Sequence, residues 1–159
     1  MSESDEIFYE LDLAIQQINR QLRLYRTILG ASLHAGPTIV EVISIAALIH
    51  SFYNGMENAF KRIALEVDEE FHKDADWHKK LIERMGKPTD KRPAVISIEL
   101  LHTLEDYLKF RHMFLNNYMA ELEWDRFSNL ALACESTMAR FKTEIRRFKR
   151  ELKKFRALH

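Results

Sequence analysis

The chain has 159 residues, of which 47 % are hydrophobic and 30 % are charged, and its formal net charge is zero; this balance fits a globular domain and excludes a disordered chain. The single cysteine, Cys134, cannot form an internal disulfide and is interpreted as a small buried hydrophobe. The N-terminal segment is acidic and has no basic region typical of a secretory signal. The most apolar stretch, TIVEVISIAALI, contains Glu41 and is too short to cross a membrane. We therefore expect a cytoplasmic protein.

The first half of the chain predicts two long helices. Only four Gly and three Pro interrupt the sequence, which leaves few places to turn. Apolar residues at spacings of three and four predict a first helix from about Ser4 to Leu33. Gly36-Pro37 breaks it, and Pro37 suits the first turn of a second helix, because its missing N–H would be unpaired there anyway. Apolar residues at helical spacing continue this second helix from Ile45 to Val67.

The second half predicts three more helices. A short helix from Trp77 to Met85 stops at Gly86, and the loop GKPTDKRP follows near residues 86–93. A fourth helix begins near Ala94, and a weak break at EWD precedes a last helix at about 126–158. Because no run alternates long enough for a strand, residues 1–159 are predicted to form a single all-α domain, an antiparallel bundle of about five helices.

The fourth helix carries unexpected polar groups in YLKFRHMFLNNYMAEL. A stripe at spacings of four and three, here called the seam, consists of Leu104, Leu108, Arg111, Leu115, Tyr118 and Leu122. An unpaired buried guanidinium is costly, so Arg111 requires an acidic partner, an anionic ligand or a wet cleft. His112 and Asn116 lie four residues apart on the adjacent stripe. Together these groups are suited to holding and cleaving a phosphodiester. The purely structural alternative is that Arg111 pairs with a nearby Glu, while Tyr118 and Asn116 satisfy backbone groups.

The charges are distributed unevenly along the chain. The residues before Arg20 are acidic or neutral, whereas residues 140–156 are strongly basic. A basic block of this kind is a candidate contact surface for nucleic acid phosphates, and Lys149, Arg150 and Lys153 are the predicted RNA-binding residues. The alternative is a solvated helix face balanced by the acidic N-terminus.

Two Glu-x-x-His pairs have the spacing of di-iron ligands: Glu69 with His72, and Glu99 with His102. Such sites require both pairs to project into one core with further carboxylates, and the first pair lies in a charged stretch at a helix end. The sequence therefore predicts no metal site and no cofactor.

The stretch FRHMFLNNYMAEL resembles the motif region of HepT-like ribonuclease toxins of the HEPN superfamily. Their signature is an arginine, four to six residues, a histidine and often a tyrosine after one more residue. In this chain Arg111 is the arginine, Asn116 stands at the histidine position, Tyr118 is the tyrosine and His112 is the polar residue after the arginine. The segments LIHSFYNGMENAFKRIALEVD, WHKKLIERM and RPAVIS also resemble this subgroup, so the similarity extends from about Leu48 to Trp124.

The resemblance implies a metal-independent endoribonuclease toxin of a type VII-like toxin–antitoxin system. It implies a homodimer whose motif helices face each other across an RNA-binding cleft, with Arg111, Asn116 and His112 as catalytic residues. It also implies a nucleotidyltransferase antitoxin, which in some systems adds AMP to the motif tyrosine, here Tyr118.

Asn116 departs from the family pattern. An amide forms hydrogen bonds but cannot shuttle a proton near neutral pH, as histidine can. Either His112 takes over proton transfer, or the dimer is weakly active or inactive. The alternative function is therefore a catalytically inactive helical interaction module that retains the HEPN fold.

Overall fold

The computed structural model describes residues 3–32, 36–116 and 121–159. These residues form five helices and no strand, apart from an isolated bridge between Thr89 and Arg92. The helices are α1 (Glu3–Ser32), α2 (Ile39–Glu66), α3 (Trp77–Met85), α4 (Ile98–Asn116) and α5 (Trp124–Leu158). The prediction of an all-α bundle of about five helices is confirmed.

The start of α2 differs from the sequence prediction. Thr38 is the N-cap and forms a capping box with Glu41: the Glu41 N–H donates to the Thr38 hydroxyl over 3.2 Å, and the Thr38 N–H donates to the Glu41 carboxylate over 3.1 Å. Pro37 therefore precedes the cap, and its predicted place in the first turn is wrong. The cap is decisive because it satisfies backbone donors that a helix end leaves unpaired.

The start of α4 also differs, by about four residues. Before the helix, the N–H groups of Val95 and Ile96 donate to the carbonyl oxygen of Met85 over 2.9 and 3.2 Å. This segment is thereby bound to the end of α3 rather than coiled into α4. The helix begins after Ser97, whose hydroxyl accepts from the Leu100 N–H over 3.1 Å.

Helix α2 is the central element of the bundle and packs against each of the other four helices. Its buried face includes Phe52, Met56, Phe60 and Ile63, all with no exposed surface. By length and mean hydropathy, 1.4 over its most apolar window, α2 would also pass for a membrane span. Its position at the centre of the bundle accounts for that hydropathy, since a buried core helix of a globular protein can be as apolar as a membrane-spanning helix.

Two buried tyrosines attach α5 to its neighbours. The Tyr107 hydroxyl of α4 donates to the carbonyl of Leu130 over 2.8 Å, and the Tyr25 hydroxyl of α1 donates to the carbonyl of Ala131. Cys134 is buried in α5, as predicted. Burial raises the pKa of this thiol, so it is an inert packing group. These contacts hold α1 and the middle of α4 against the first turns of α5.

Candidate functional site

Arg111 lies at the edge of the buried face of α4. That face consists of Leu100, Leu101, Leu104, Tyr107 and Phe110. The predicted seam follows a different line, because Leu108 is only half-buried and Leu115 is 54 % exposed. Within one protomer the seam is thus packed at Leu104 and progressively exposed towards Leu115, and Arg111 is half-buried between them.

The Arg111 guanidinium has no internal partner among the described residues. Its Nε is buried without a hydrogen-bond acceptor, and no ion pair with a described carboxylate is found. The side chain instead lines an open cavity of about 500 Å³. The other lining residues are Asp76, His78, Lys79, Glu105, Leu108, Lys109 and His112. Arg111 thus has no acidic partner among the described residues and borders an open cleft.

The two motif neighbours of Arg111 are placed differently. His112 is exposed and lines the same cavity. Asn116 does not line it; its Nδ2 donates to the backbone carbonyl of His112 over 2.7 Å at the end of α4. Tyr118 lies outside the described residues. The structure therefore brings Arg111 and His112 together and leaves Asn116 bonded to its own helix.

Sequence reasoning missed a buried carboxylate–imidazole pair at the cavity. Glu57 of α2 is 3 % exposed, and its Oε2 lies 2.7 Å from Nδ1 of His78, the second residue of α3. Lys61 Nζ approaches the same carboxylate at 3.9 Å. Burial raises the pKa of Tyr53, and the charge of Glu57 raises it further. Glu57 stood in the second predicted helix and His78 in the third, so no local spacing signalled that they meet.

The charge of Arg111 also acts on α2. Burial lowers the pKa of His50, the positive charge of Arg111 lowers it further, and Glu57 acts in the opposite direction. The His50 Nε2 lies 3.1 Å from the Asn54 amide nitrogen, and its ring centroid lies 5.0 Å from that of Phe114. His50 thus responds to the charge of a guanidinium that has no carboxylate partner among the described residues.

The lining of the cavity is mixed in charge. Lys79, Lys109 and Arg111 supply positive charge, and Asp76 and Glu105 oppose it. The cavity is therefore not a uniformly basic groove. Specific placement of one guanidinium, rather than a broad positive field, distinguishes it.

The basic block of α5 lies far from this cavity in one protomer. Phe127 packs against Phe110, next to Arg111, at 5.3 Å between ring centroids. Lys149 lies roughly 30 Å further along α5, at 1.5 Å of rise per residue. Lys149 forms an ion pair with Asp12, Lys153 Nζ lies 5.0 Å from the centre of the Phe8 ring, and Arg150 is exposed. RNA binding by these residues stays a prediction.

Among the described residues, no group of three or more His, Cys, Asp or Glu side chains is arranged to hold a metal ion. Glu69 follows the end of α2 and forms an ion pair with Lys91 at 2.7 Å. Glu99 and His102 are exposed on α4. The two Glu-x-x-His pairs therefore do not converge.

Comparison with known proteins gives one match. A family model described as HepT-like protein matches residues 44–152, more than half of the chain. Among curated proteins and solved structures, no match to the chain was found. The matched range contains the cavity and the Arg111 motif. The chain therefore belongs to the HepT-like family of the HEPN superfamily.

Proposed function

We propose that this protein is a metal-independent endoribonuclease, the cytoplasmic toxin of a type VII-like toxin–antitoxin pair, and that it cleaves RNA at the cavity lined by Arg111. Membership of the HepT-like family supports a ribonuclease of the HEPN type in general. The observation that carries the specific proposal is the Arg111 guanidinium, whose buried Nε has no acceptor among the described residues while its side chain borders an open cavity.

The chemistry follows from the groups at the cavity. A guanidinium binds two phosphate oxygens at once and stabilises the charge that develops on them, which is what a transition state at phosphorus requires. His112 lines the same cavity, and an imidazole can serve as a general acid or base. Asn116 would orient the substrate by hydrogen bonds after releasing the carbonyl of His112.

A second copy of the chain would complete the cleft. Leu115, in the seam four residues beyond Arg111, is 54 % exposed, and Leu108 is half-buried. An apolar stripe that is incompletely covered in one protomer is suited to a two-fold contact, in which the same surface meets itself. The seam would then pack between protomers and place two Arg111 side chains at one cleft. Light scattering is expected to show a dimer at micromolar concentration, and a monomer would contradict this arrangement.

A nucleotidyltransferase antitoxin fits the same site. Tyr118 follows Arg111 by seven residues in the sequence, so AMP on its hydroxyl would add bulk and negative charge near the guanidinium. The antitoxin would then silence the toxin by blocking the cleft. Mass spectrometry of the chain produced with and without a nucleotidyltransferase encoded beside it is expected to show the added nucleotide on Tyr118.

The central experiment is RNA cleavage by the purified, unmodified chain without a partner. We expect products with a 2′,3′-cyclic phosphate and a 5′-hydroxyl, and we expect Arg111→Ala to abolish cleavage and growth toxicity while the helical content is retained. Arg23→Ala is a matched control, because Arg23 is exposed on α1. Equal activity of Arg111→Ala and wild type would contradict the proposed site.

The alternative, a helical interaction module without catalysis, is favoured by Asn116, whose amide is bonded to the backbone and cannot shuttle a proton. Asn116→His restores the family pattern and is expected to raise activity if Asn116 has weakened the site. If neither the wild type nor Asn116→His cleaves RNA, the ribonuclease proposal fails and the interaction module takes its place.

Phosphate contacts by α5 would add affinity. A charge-reversed Lys149/Arg150/Lys153 variant is expected to show a smaller dependence of RNA affinity on salt, because fewer counterions are released. Arg150 and Lys153 should contribute more than Lys149, since Asp12 already compensates Lys149. An unchanged salt slope would mean that the basic face is only solvated surface.

A further inference from the structure

The pair of Glu57 and His78 has a geometry used to hold a catalytic imidazole. His78 lines the cavity that Arg111 and His112 also line, and its Nδ1 lies 2.7 Å from the Glu57 carboxylate. The Glu57 side chain is 4 % exposed and that of His78 is 25 % exposed. A buried carboxylate is thus bonded to one nitrogen of an imidazole whose ring borders open space.

We propose that His78, oriented by Glu57, is the general base of the RNA cleavage reaction and supplies the proton transfer that Asn116 cannot. This inference rests on the proposed ribonuclease function. His78 would be a catalytic residue that contacts the ribose, and Glu57 a positioning residue that acts through His78.

Glu57 is held in place from two directions. His78 bonds to one carboxylate oxygen, and Lys61 approaches the other at 3.9 Å. A buried charge between two such partners is fixed in position. The imidazole that it holds is therefore fixed as well, which is the condition for efficient proton transfer.

The hydrogen bond also determines the tautomer of His78. A carboxylate only accepts hydrogen bonds, so Nδ1 carries the proton in the neutral ring. Nε2 is left with its lone pair, on the side of the ring away from Glu57. An imidazole bonded in this way is oriented as in the Ser-His-Asp arrangement, where the carboxylate fixes the tautomer and stabilises the imidazolium that forms.

The proposed cleavage step is a transesterification at phosphorus. Nε2 of His78 removes the proton of the ribose 2′-hydroxyl, and the 2′-oxygen forms a bond to the adjacent phosphorus while Arg111 neutralises the phosphate oxygens. The bond from phosphorus to the 5′-oxygen breaks, and that oxygen takes a proton from His112 in its charged form. The products are a 2′,3′-cyclic phosphate and a 5′-hydroxyl; His78 then returns its proton to water, and His112 takes one up.

The first test replaces the imidazole without removing the bond to Glu57. His78→Gln keeps a donor for the buried carboxylate, so the fold is preserved, but it cannot accept the 2′ proton. We expect the cleavage rate to fall about 10²- to 10⁴-fold, with unchanged affinity for an RNA whose 2′-hydroxyl is replaced by hydrogen. His102→Gln is the matched control, because His102 is exposed on α4 and does not line the cavity.

Two further measurements separate chemistry from structure. In His78→Ala, free imidazole in the buffer is expected to restore part of the lost rate, because the vacated space opens into the cavity. In Glu57→Gln, the loss of rate should be smaller than in His78→Gln. Nitrogen NMR of the His78 ring should show that the preference for the Nδ1-protonated tautomer is lost.

The outcomes distinguish this inference from the proposed function. If His78→Gln cleaves RNA at the wild-type rate while Arg111→Ala does not cleave, the role of His78 is overturned and the ribonuclease stands. If His78→Gln loses RNA affinity in proportion to rate and imidazole restores nothing in His78→Ala, His78 is structural and the inference is likewise overturned. If the wild-type chain cleaves no RNA, the proposed function and this role fail together.

Discussion

Arg92, in the loop between α3 and α4, and Arg111, in α4, carry the same guanidinium in opposite surroundings. Arg92 is completely buried, and its Nε and Nη2 donate to the two carboxylate oxygens of Asp68 over 2.6 and 2.9 Å. Its Nη1 donates to the carbonyls of Lys87 and Pro93 over 3.0 and 3.1 Å. Arg111 borders an open cavity, and its buried Nε has no acceptor among the described residues.

The difference shows what an arginine contributes to a structure and what it contributes to a site. The donors of Arg92 are used inside the chain, where they bind the end of α2 to the loop after α3; Asp68 also accepts from Arg84 over 2.7 Å. The donors of Arg111 are left for a group that comes from outside. A satisfied buried guanidinium makes the fold depend on its partners, whereas an unsatisfied one beside open space is suited to an anion.

The largest expected effect on stability comes from breaking the Arg92 pair. Asp68→Ala would leave the Arg92 guanidinium buried without its carboxylate, and we expect the free energy of unfolding to fall by about 3–5 kcal/mol. Denaturant unfolding followed by circular dichroism measures this. The matched control is Glu123→Ala, which breaks the Arg126–Glu123 pair; both of those side chains are more than 60 % exposed, so about 0–1 kcal/mol is expected. Equal losses in the two variants would mean that burial does not distinguish the pairs.

Replacing each arginine by methionine should give opposite results. Arg92→Met leaves the buried carboxylate of Asp68 with Arg84 as its one cationic hydrogen-bond partner among the described residues, and is expected to be strongly destabilising. Arg111→Met removes a guanidinium that has no described partner, so its free energy of unfolding should stay within about 0.5 kcal/mol of wild type or rise. Thermal unfolding of the two variants measures the contrast. A large loss of stability in Arg111→Met would indicate that Arg111 has a structural partner.

Most of the fold could be predicted from the sequence, because apolar residues recur at helical spacing along each of the long helices. The predicted third helix, from Trp77 to Met85, agrees with α3 at both ends, and α1 agrees within a residue at both ends. The starts of α2 and α4 were misplaced, since each depends on a particular bond: the capping box at Thr38, and the bonds from Val95 and Ile96 to Met85. Such bonds form between residues whose pairing no hydrophobic pattern specifies.

The site was predictable only in part. Arg111 was found because a charge in an apolar stripe is anomalous, and the structure places it at the cavity. Arg92 was overlooked in a loop that reads as polar surface, although it is completely buried. The contact of Glu57 with His78 joins two helices across 21 positions, so its existence follows from packing alone.

An anion should distinguish Arg111 from the satisfied arginine. If inorganic phosphate binds to the free guanidinium, it stabilises the folded protein by about 0.4 kcal/mol when its concentration equals Kd, and by more above that. We expect phosphate to raise the Tm of wild type, and to raise that of Arg111→Met less. Arg23→Met, on the exposed face of α1, is the control and should respond as wild type does. An identical rise in all three proteins would show that phosphate acts on the protein generally and that Arg111 does not bind it.

The smallest expected effect is electrostatic and concerns His50. Asp68 compensates the charge of Arg92, whereas no described carboxylate pairs with Arg111, so of these two arginines Arg111 should act more strongly on its surroundings. Burial is the largest cause that lowers the pKa of His50, and the charge of Arg111 is the next. The unfolded chain then takes up this proton near pH 6.5 and the folded protein at lower pH. The contribution of His50 to stability is therefore full above about pH 6.5 and is lost as the pH falls through the folded pKa.

Arg111→Met should raise the pKa of His50 towards its ordinary value and reduce the stability lost on acidification. Burial would still hold this pKa below that value, so the change should be partial. Proton NMR titration of the His50 ring measures the pKa, and unfolding at a series of pH values measures the stability. Lys109→Met is the matched control, because it removes a cation from the same cavity that is not among the causes acting on His50. If His50 titrates identically in wild type and Arg111→Met, the charge of Arg111 is already neutralised, and Arg111 resembles Arg92 after all.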